Sequence, residues 1–413
     1  MPNSAKGAIL DYQDMPSIYL DNAATTPVDP RVFEVMKPFL AEEFGNPSSF
    51  HRKGKTAKDA IDDARAQVAK VLGARADEII FTSGGSEANN LAVLGLARAH
   101  ATVGKHLISA RTEHPSVLEA LDHLVRKEGF EVTFVAVDGQ GLVDPAEVVA
   151  AVRPDTTLVT IMLANNEIGT IAPIREIGSL IRKNREARKS VYPYFHTDAC
   201  QAVGALEVDI QKLNVDLMTV NSSKIYGPKG VGALYARRGI KIAPLMFGGA
   251  QERGIRPGTE NVAGIIGFGE AITIAEANRD EYSNNLTPLR DYLIAGISKA
   301  VPRTRLNGHI TKRLPNNVNI SVMDIEGEAL LLYLDAKGIY AATGSACTSA
   351  TLDPSHVILA LGMPYEVAHG SLRFTLGRET TKEDLDYVLE VLPALVAKLR
   401  AISPVHVDEK YFL

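Results

Sequence analysis

The sequence has little of several things, and each shortage removes a class of protein. There are only two cysteines, Cys200 and Cys347, in 413 residues. That excludes a disulfide framework. With no CxxC pair or Cys/His cluster nearby, no structural metal site is expected either. No apolar run reaches the roughly 18 residues that a membrane span needs. The opening stretch, MPNSAKGAILDYQDMPS, lacks the basic start and apolar core of a signal peptide. Basic residues are not in excess: 44 Lys and Arg stand against 49 Asp and Glu, so neither nucleic acid nor an anionic membrane is the expected partner. These absences together lead to the expectation of a cytoplasmic location.

What is present reads as a soluble globular chain. Hydrophobic residues make up 46% and charged residues 23%, and the length allows two or three domains. Short strand-like runs alternate with amphipathic helical stretches. After IYL (18–20), Asp29-Pro30 makes a natural N-cap and first helical position. Residues 55–72 carry Ala57, Ile61, Ala64, Val68 and Val71 at helical spacing, and Gly73 ends the run. EIIF (78–81), a Gly/Ser turn, and a helix through Leu91, Leu94 and Leu96 follow. HLIS (106–109) precedes a helix opening at Pro115, and FEVTFVAV (130–137), TLVTIML (157–163), YPYFH (192–196), VDLMTV (215–220) and GALYA (232–236) continue the strands.

This alternation predicts an α/β fold with a mostly parallel sheet flanked by helices. Ligands of such sheets gather at the loops after the strands' carboxyl ends. From about Ala275 the character changes, to a long charged helix (275–300) and a segment holding NNVNISV, EGEALLLYLDAKGIY and RFTLGR. The expected division is a large domain over 29–275 and a smaller α+β domain over 276–413, joined by the N-terminal segment 1–28.

Five stretches carry chemistry. In TSGGSEANN (82–90), free N–H groups at a helix start can bind an anion, or the glycines simply make a turn. In HTDACQ (196–201), Asp198 is either a helix N-cap or a buried acid that needs a cationic partner. In NSSKIYGPKG (221–230), Lys224 follows a strand among small hydroxyl residues, where it is a covalent-catalysis lysine or an ordinary exposed one. In ATGSACTSATLDPSH (342–356), Cys347 sits among small residues. It reads as an exposed, mobile nucleophile rather than an inert core thiol. In SLRFTLGR (371–378), Arg373 points opposite to Leu372 and Phe374, towards a substrate carboxylate or a structural ion pair.

In combination, YLDNAATTP, FGNPSS, TSGGSEANN, TEHPSVL, ANNEIGT, TDACQAVG, KIYGPKGVGALY, RPGTEN, GSACTSATLDPSHVILALG and RFTLGR resemble the cysteine desulfurase family. That family belongs to the class V aminotransferase group of fold-type I pyridoxal-phosphate enzymes. The resemblance runs from about Ile18 to about Pro404, and the Cys347 stretch is similar to the long-loop branch that serves iron–sulfur cluster assembly.

The resemblance implies pyridoxal 5'-phosphate as cofactor, anchored covalently on Lys224. It implies Asp198 at the pyridine nitrogen, Gln201 at the phenolic oxygen and His114 stacked on the ring, also as a proton shuttle. Gly85, Ser86 and the run Asn221, Ser222 and Ser223 fall at phosphate contacts. Thr259 matches a phosphate contact supplied by the other subunit of a homodimer. Asn166 and Arg373 match the binders of the amino acid's carboxylate, and Cys347 the persulfide-forming nucleophile. The implied activity converts L-cysteine to L-alanine and passes sulfur to acceptor proteins such as an iron–sulfur scaffold, with tRNA thiolation as a second outlet. Two positions depart from the pattern. Ser223 stands where the family often has histidine, and Cys200, beside Asp198, reads as a small core residue. The rival readings are a selenocysteine lyase on the same scaffold and a non-catalytic sulfur-relay subunit. Retention of both Lys224 and Cys347 argues against the second.

Overall fold

The computed structural model describes residues 16–344, 354–404 and 406–411. The short N-terminal strand is β1 (Ile18–Tyr19). A seven-stranded sheet follows, made of β2 (Ile79–Thr82), β3 (His106–Ala110), β4 (Glu131–Val135), β5 (Thr156–Thr160), β6 (Tyr194–Asp198), β7 (Leu217–Asn221) and β8 (Gly232–Ala236), in the order β2-β8-β7-β6-β5-β3-β4. The four pairs β3–β4, β3–β5, β5–β6 and β6–β7 are parallel, as the alternation of strands and helices predicts. Every residue of β2, β3, β5, β6 and β8 is buried, as expected of strands covered on both faces.

Only β8 runs against the rest, pairing antiparallel with both β2 and β7. The connection from β7, residues 222–231, is too short for the crossover that a parallel pair needs. This reversal brings Gly232, at the start of β8, against the loop after β2. A Cβ there would lie 2.8 Å from the carbonyl carbon of Gly84. The carboxyl ends of β2, β3, β5, β6 and β7 therefore share one edge, the edge at which a site is expected.

Helices cover both faces. On one, Arg52–Leu72 packs against Val262–Ala277 with Ile61, Val68, Phe268 and Ile272 buried between helices and sheet. The helices approach so closely that a Cβ on Gly269 would meet Ala64 Cα at 2.9 Å. Truncating a core residue such as Phe268 to alanine would cost about 3–5 kcal/mol. On the other face lie Pro115–Glu128 and a helix that runs Gly85–Asn90, passes through a π-helical turn at Leu91–Gly95 and ends as Leu96–Ala99. Sequence reasoning expects one helix over 275–300. The structure has two, Val262–Ala277 and Arg279–Ala300, separated at Asn278. The first is apolar nearly all round because both its sides are covered, so it has no amphipathic period to read.

The remaining strands are β9 (Thr304–Leu306), β10 (Asn317–Val322), β11 (Ile339–Tyr340) and β12 (Ser371–Thr375). β12, β10 and β9 form an antiparallel sheet whose core includes Leu293, Ile297, Leu334, Leu385 and Leu392. β1 pairs parallel with β11, and Ile18 and Leu20 are buried in this same second core. Among the described residues no helix is long and apolar enough to cross a membrane.

Candidate active site

A cavity of about 410 Å³ opens at the shared strand edge, within the size range of small-molecule sites. The loops after β2, β3, β5, β6 and β7 contribute to it. The β2 loop gives Gly85 and Ser86, the β3 loop His114, the β5 loop Asn166 and Glu167, the β6 loop Cys200 and Gln201, and the β7 loop Ser223 and Lys224. Asp198 and Asn221, the last residues of β6 and β7, also line it, as does Arg373 of β12.

The first wall is a helix start. Gly84 has φ +153, a backbone that favours glycine, and it turns the chain from β2 into the helix. The first N–H groups of that helix have no partner inside it, and the residues of this helix start line the cavity. Gly85 leaves room for a neighbour: a Cβ on it would lie 2.8 Å from Cys200 Sγ. Glu87 accepts from the Ser83 N–H at 2.6 Å and from Arg256 Nε at 3.0 Å. Those donors and its burial pull in opposite directions and leave its carboxyl below the usual range.

Asp198 is 6% exposed. Its Oδ2 accepts from Asn89 Nδ2 at 2.7 Å and its Oδ1 from the Cys200 N–H at 2.9 Å. Asn89 also donates to Ser116 Oγ at 2.9 Å. His114 caps the helix Pro115–Glu128, and its Nδ1 accepts from the Ser116 N–H at 3.1 Å. That acceptor role puts the ring proton on Nε2. Burial pushes the imidazole's pKa down, aided by Lys224 and His356 and opposed by Asp198, so the ring stays neutral. Gln201 Nε2 donates to the Ala23 carbonyl at 2.9 Å, and Lys224 Nζ donates to the Ala24 carbonyl. Asn221 Nδ2 donates to Ser223 Oγ at 3.3 Å.

The opposite wall is cationic. Arg373, 3% exposed, donates from Nη1 to the Asn166 carbonyl at 3.0 Å and from Nη2 to Asp21 Oδ1 at 2.8 Å, while its buried Nε has no partner. The guanidinium is thus held in place at the cavity, and its charged planar fork suits it to receive an incoming carboxylate. Beside it Glu167 is fully buried and accepts from Ser355 Oγ. Burial raises its pKa, against the opposing pull of His356, Ser355 and Arg373. Below His114, buried Glu113 accepts the Met162 N–H at 2.7 Å and keeps Oε2 unpartnered. Burial, with Asp198 nearby, raises its carboxyl well above the usual range.

Sequence reasoning thus has Lys224, His114, Gly85, Ser86, Asp198, Gln201, Asn221, Ser223, Asn166 and Arg373 brought together around one cavity. Ser222 is buried behind it with its Oγ unpartnered, and Thr259 is exposed and away from it. Cys347 lies outside the described residues; Gly344 before it and Ser355 after it both line the cavity. Cys200, read from sequence as a core residue, is instead half-buried on the cavity wall. Its thiol is pushed well up by burial and by Asp198, so it is protonated at neutral pH. Sequence reasoning assigned no role to Asn89, Ser116, Asp21 or Glu167. All four stand inside quoted motifs, but nothing local in the sequence says which distant group they meet.

Residues 18–388 match the family described as aminotransferase class-V. A cysteine desulfurase IscS of Dictyoglomus turgidum is 53% identical over 94% of this chain and 96% of its own length. A solved NifS-like protein superposes with a TM-score of 0.86 at 36% identity, covering 93% of this chain and 100% of the other. SspA, solved in complex with cysteine, does so with a TM-score of 0.75 at 34% identity, over 87% of this chain and 99% of the other.

Proposed function

The chain belongs to the class-V aminotransferases and, within them, to the cysteine desulfurases, and from that premise we propose that it takes sulfur from L-cysteine, releases L-alanine and holds the sulfur as a persulfide on Cys347. The observation that carries this reading is the convergence of Lys224, Asp198, His114 and Arg373 on one cavity.

The cavity's donor set fits pyridoxal phosphate. Gly85 and Ser86 at the helix start, with Asn221 and Ser223 opposite, would hold a phosphate. Asp198, carboxylate outward and braced by Asn89, would pair with a protonated ring nitrogen. Gln201 would donate to the phenolic oxygen, and His114 would cover the ring face. When bound, the cofactor draws electrons away from the substrate's α-carbon.

Arg373 and Asn166 would bind and orient the substrate's carboxylate. Lys224, besides anchoring the cofactor, would take the proton from Cα, with neutral His114 placed to relay a proton. The Cys347 thiolate would attack the substrate's sulfur. An S–S bond forms and the Cβ–S bond breaks. Its electron pair leaves with Cβ, which gains a proton and becomes the methyl of alanine. Cys200 is kept protonated and takes no part.

The same reading makes the protein a homodimer in which exposed Thr259 reaches the phosphate of the other copy. It places the protein in the cytoplasm, with an iron–sulfur scaffold among its sulfur acceptors and tRNA thiolation as a further outlet. It takes 29–275 as the cofactor domain and 276–413 as the smaller one; in support, the apolar clusters around Phe268 and around Leu385 fall largely on either side of that division. The test is to incubate the yellow holoprotein with L-cysteine and no acceptor. One alanine and one persulfide should appear per active site. Pyruvate or free sulfide in place of alanine would defeat the reading.

A further inference from the structure

Tyr226, two residues after Lys224, has φ +62, a backbone region that bulky side chains avoid. A residue persists there only when its surroundings over-determine it. Four contacts do so. Its N–H donates to Thr26 Oγ1 at 2.8 Å, and its carbonyl accepts from the Asp29 N–H at 2.9 Å. Its hydroxyl oxygen accepts from the Arg378 N–H at 2.7 Å, and the Arg378 guanidinium lies over its ring, 4.1 Å from the centroid. Arg378 is itself held by Asp29, Nη1 to Oδ2 at 3.0 Å. Asp29, with Arg31 as its main partner, has its pKa lowered to about 2 and is ionised at neutral pH.

These contacts form one chain of structure. Segment 23–29 brackets the Lys224 turn: the Ser223 carbonyl accepts from the Thr26 N–H at 2.9 Å, and the Ala24 carbonyl accepts from Lys224 Nζ. Arg378 follows β12, the strand that presents Arg373 to the cavity. The same stretch is stitched to the N-terminal segment by the Ala23 N–H, which donates to Thr375 Oγ1 at 2.9 Å. A strained turn that is clamped from the far side of the Lys224 loop fixes where the amine can reach.

We propose that Arg378 is a positioning residue for the Lys224 amine. It acts through Tyr226, which its N–H, its guanidinium and its ion pair with Asp29 hold in the left-handed conformation. The proposal rests on the role given to Lys224 above. Neither Arg378 nor Tyr226 lines the cavity, so neither touches substrate.

The test uses the holoenzyme and a reaction that needs Lys224 but not sulfur transfer: exchange of the α-proton of L-alanine for deuterium in D₂O, followed by NMR. Misplacing a proton-transfer group by a fraction of an ångström costs rate rather than affinity. Arg378→Gln should therefore slow exchange about tenfold at saturating alanine and leave the half-saturating concentration unchanged. The visible circular dichroism of the bound cofactor should change with it, and Arg378→Lys should restore part of both. If Arg378→Gln does not fold, Tyr226→Phe carries the test. It keeps the ring under the guanidinium and loses only the acceptor for the Arg378 N–H, so its exchange should slow to a lesser degree. Exchange per bound cofactor equal to wild type, with an unchanged dichroism, would overturn the proposal and leave Arg378 as a purely structural residue. Wild-type protein that exchanges no alanine proton would instead sink the role of Lys224.

Discussion

Replacing Asn89 with alanine should loosen Asp198 and, through it, the cofactor. Asp198 has two donors on its carboxylate, Asn89 Nδ2 at 2.7 Å and the Cys200 N–H at 2.9 Å. The first is buried, with Asn89 itself 1% exposed, so water cannot easily replace it. A hydrogen bond to a charged group contributes about 1.5–3 kcal/mol. The Cys200 N–H still holds one oxygen, so the lower end applies, and cofactor binding should weaken about tenfold. The assay titrates apoprotein with pyridoxal phosphate and follows the visible absorbance. Asn89→Asp sharpens the argument, because two carboxylates at hydrogen-bond distance cannot both ionise. That variant should bind cofactor far worse than Asn89→Ala at neutral pH. It should partly recover as the pH falls and the pair shares a proton. If Asn89→Ala binds cofactor as tightly as wild type, and Asn89→Asp shows no pH dependence of its own, Asp198 does not depend on this brace.

Three more outcomes are expected. Cys200→Ser should keep most desulfurase activity, because the thiol is held protonated; persulfide found on Cys200 by peptide mass spectrometry would contradict this. Thr259→Ala should speed cofactor loss on dialysis, since an exposed residue outside its own cavity can serve a phosphate only across an interface. A fully active monomer, shown by light scattering at assay concentration, would refute it. His196 is buried between the Thr160 and Thr219 hydroxyls, and burial lowers its pKa to about 4. The unfolded chain therefore takes up this proton first, near pH 6.5, and the stability contributed at neutral pH is lost as pH falls from about 6.5 towards 4. Urea midpoints should fall over that window, and less so in His196→Gln; an equal fall in both would assign the effect to other groups.

Much of the layout was legible because it rests on local patterns. Strand-like runs followed by helix starts gave the parallel sheet, and the rule for its carboxyl edge gave the place of the site. The reversal of β8 follows from a connection too short to cross over. The helix Val262–Ala277 was invisible because it has no polar face. Within the site, residues at the ends of strands were legible. Their partners were not: Asn89 meets Asp198 across 109 positions, Glu167 meets Ser355 across 188, and Asp21 meets Arg373 across 352. Such pairs are set by the fold's return to one edge and leave no mark on either neighbourhood. Cys200 was misjudged for a similar reason. Its sequence neighbours are those of a core residue, but the residue is only half-buried and lines the cavity, its sulfur lying against Gly85.

The division of labour between Lys224 and Cys347 is tested most directly by Cys347→Ser. A hydroxyl is far less nucleophilic toward sulfur than a thiolate. The variant keeps Lys224, Asp198 and Arg373, so it should bind cofactor, stay yellow and change its spectrum when L-cysteine is added. It should release no alanine beyond background and carry no persulfide. Lys224→Ala, run beside it, should lose both the spectral response and alanine formation. Alanine release by Cys347→Ser at near the wild-type rate would mean that sulfur leaves without a protein thiol or through Cys200, and the desulfurase mechanism proposed for this chain would be wrong.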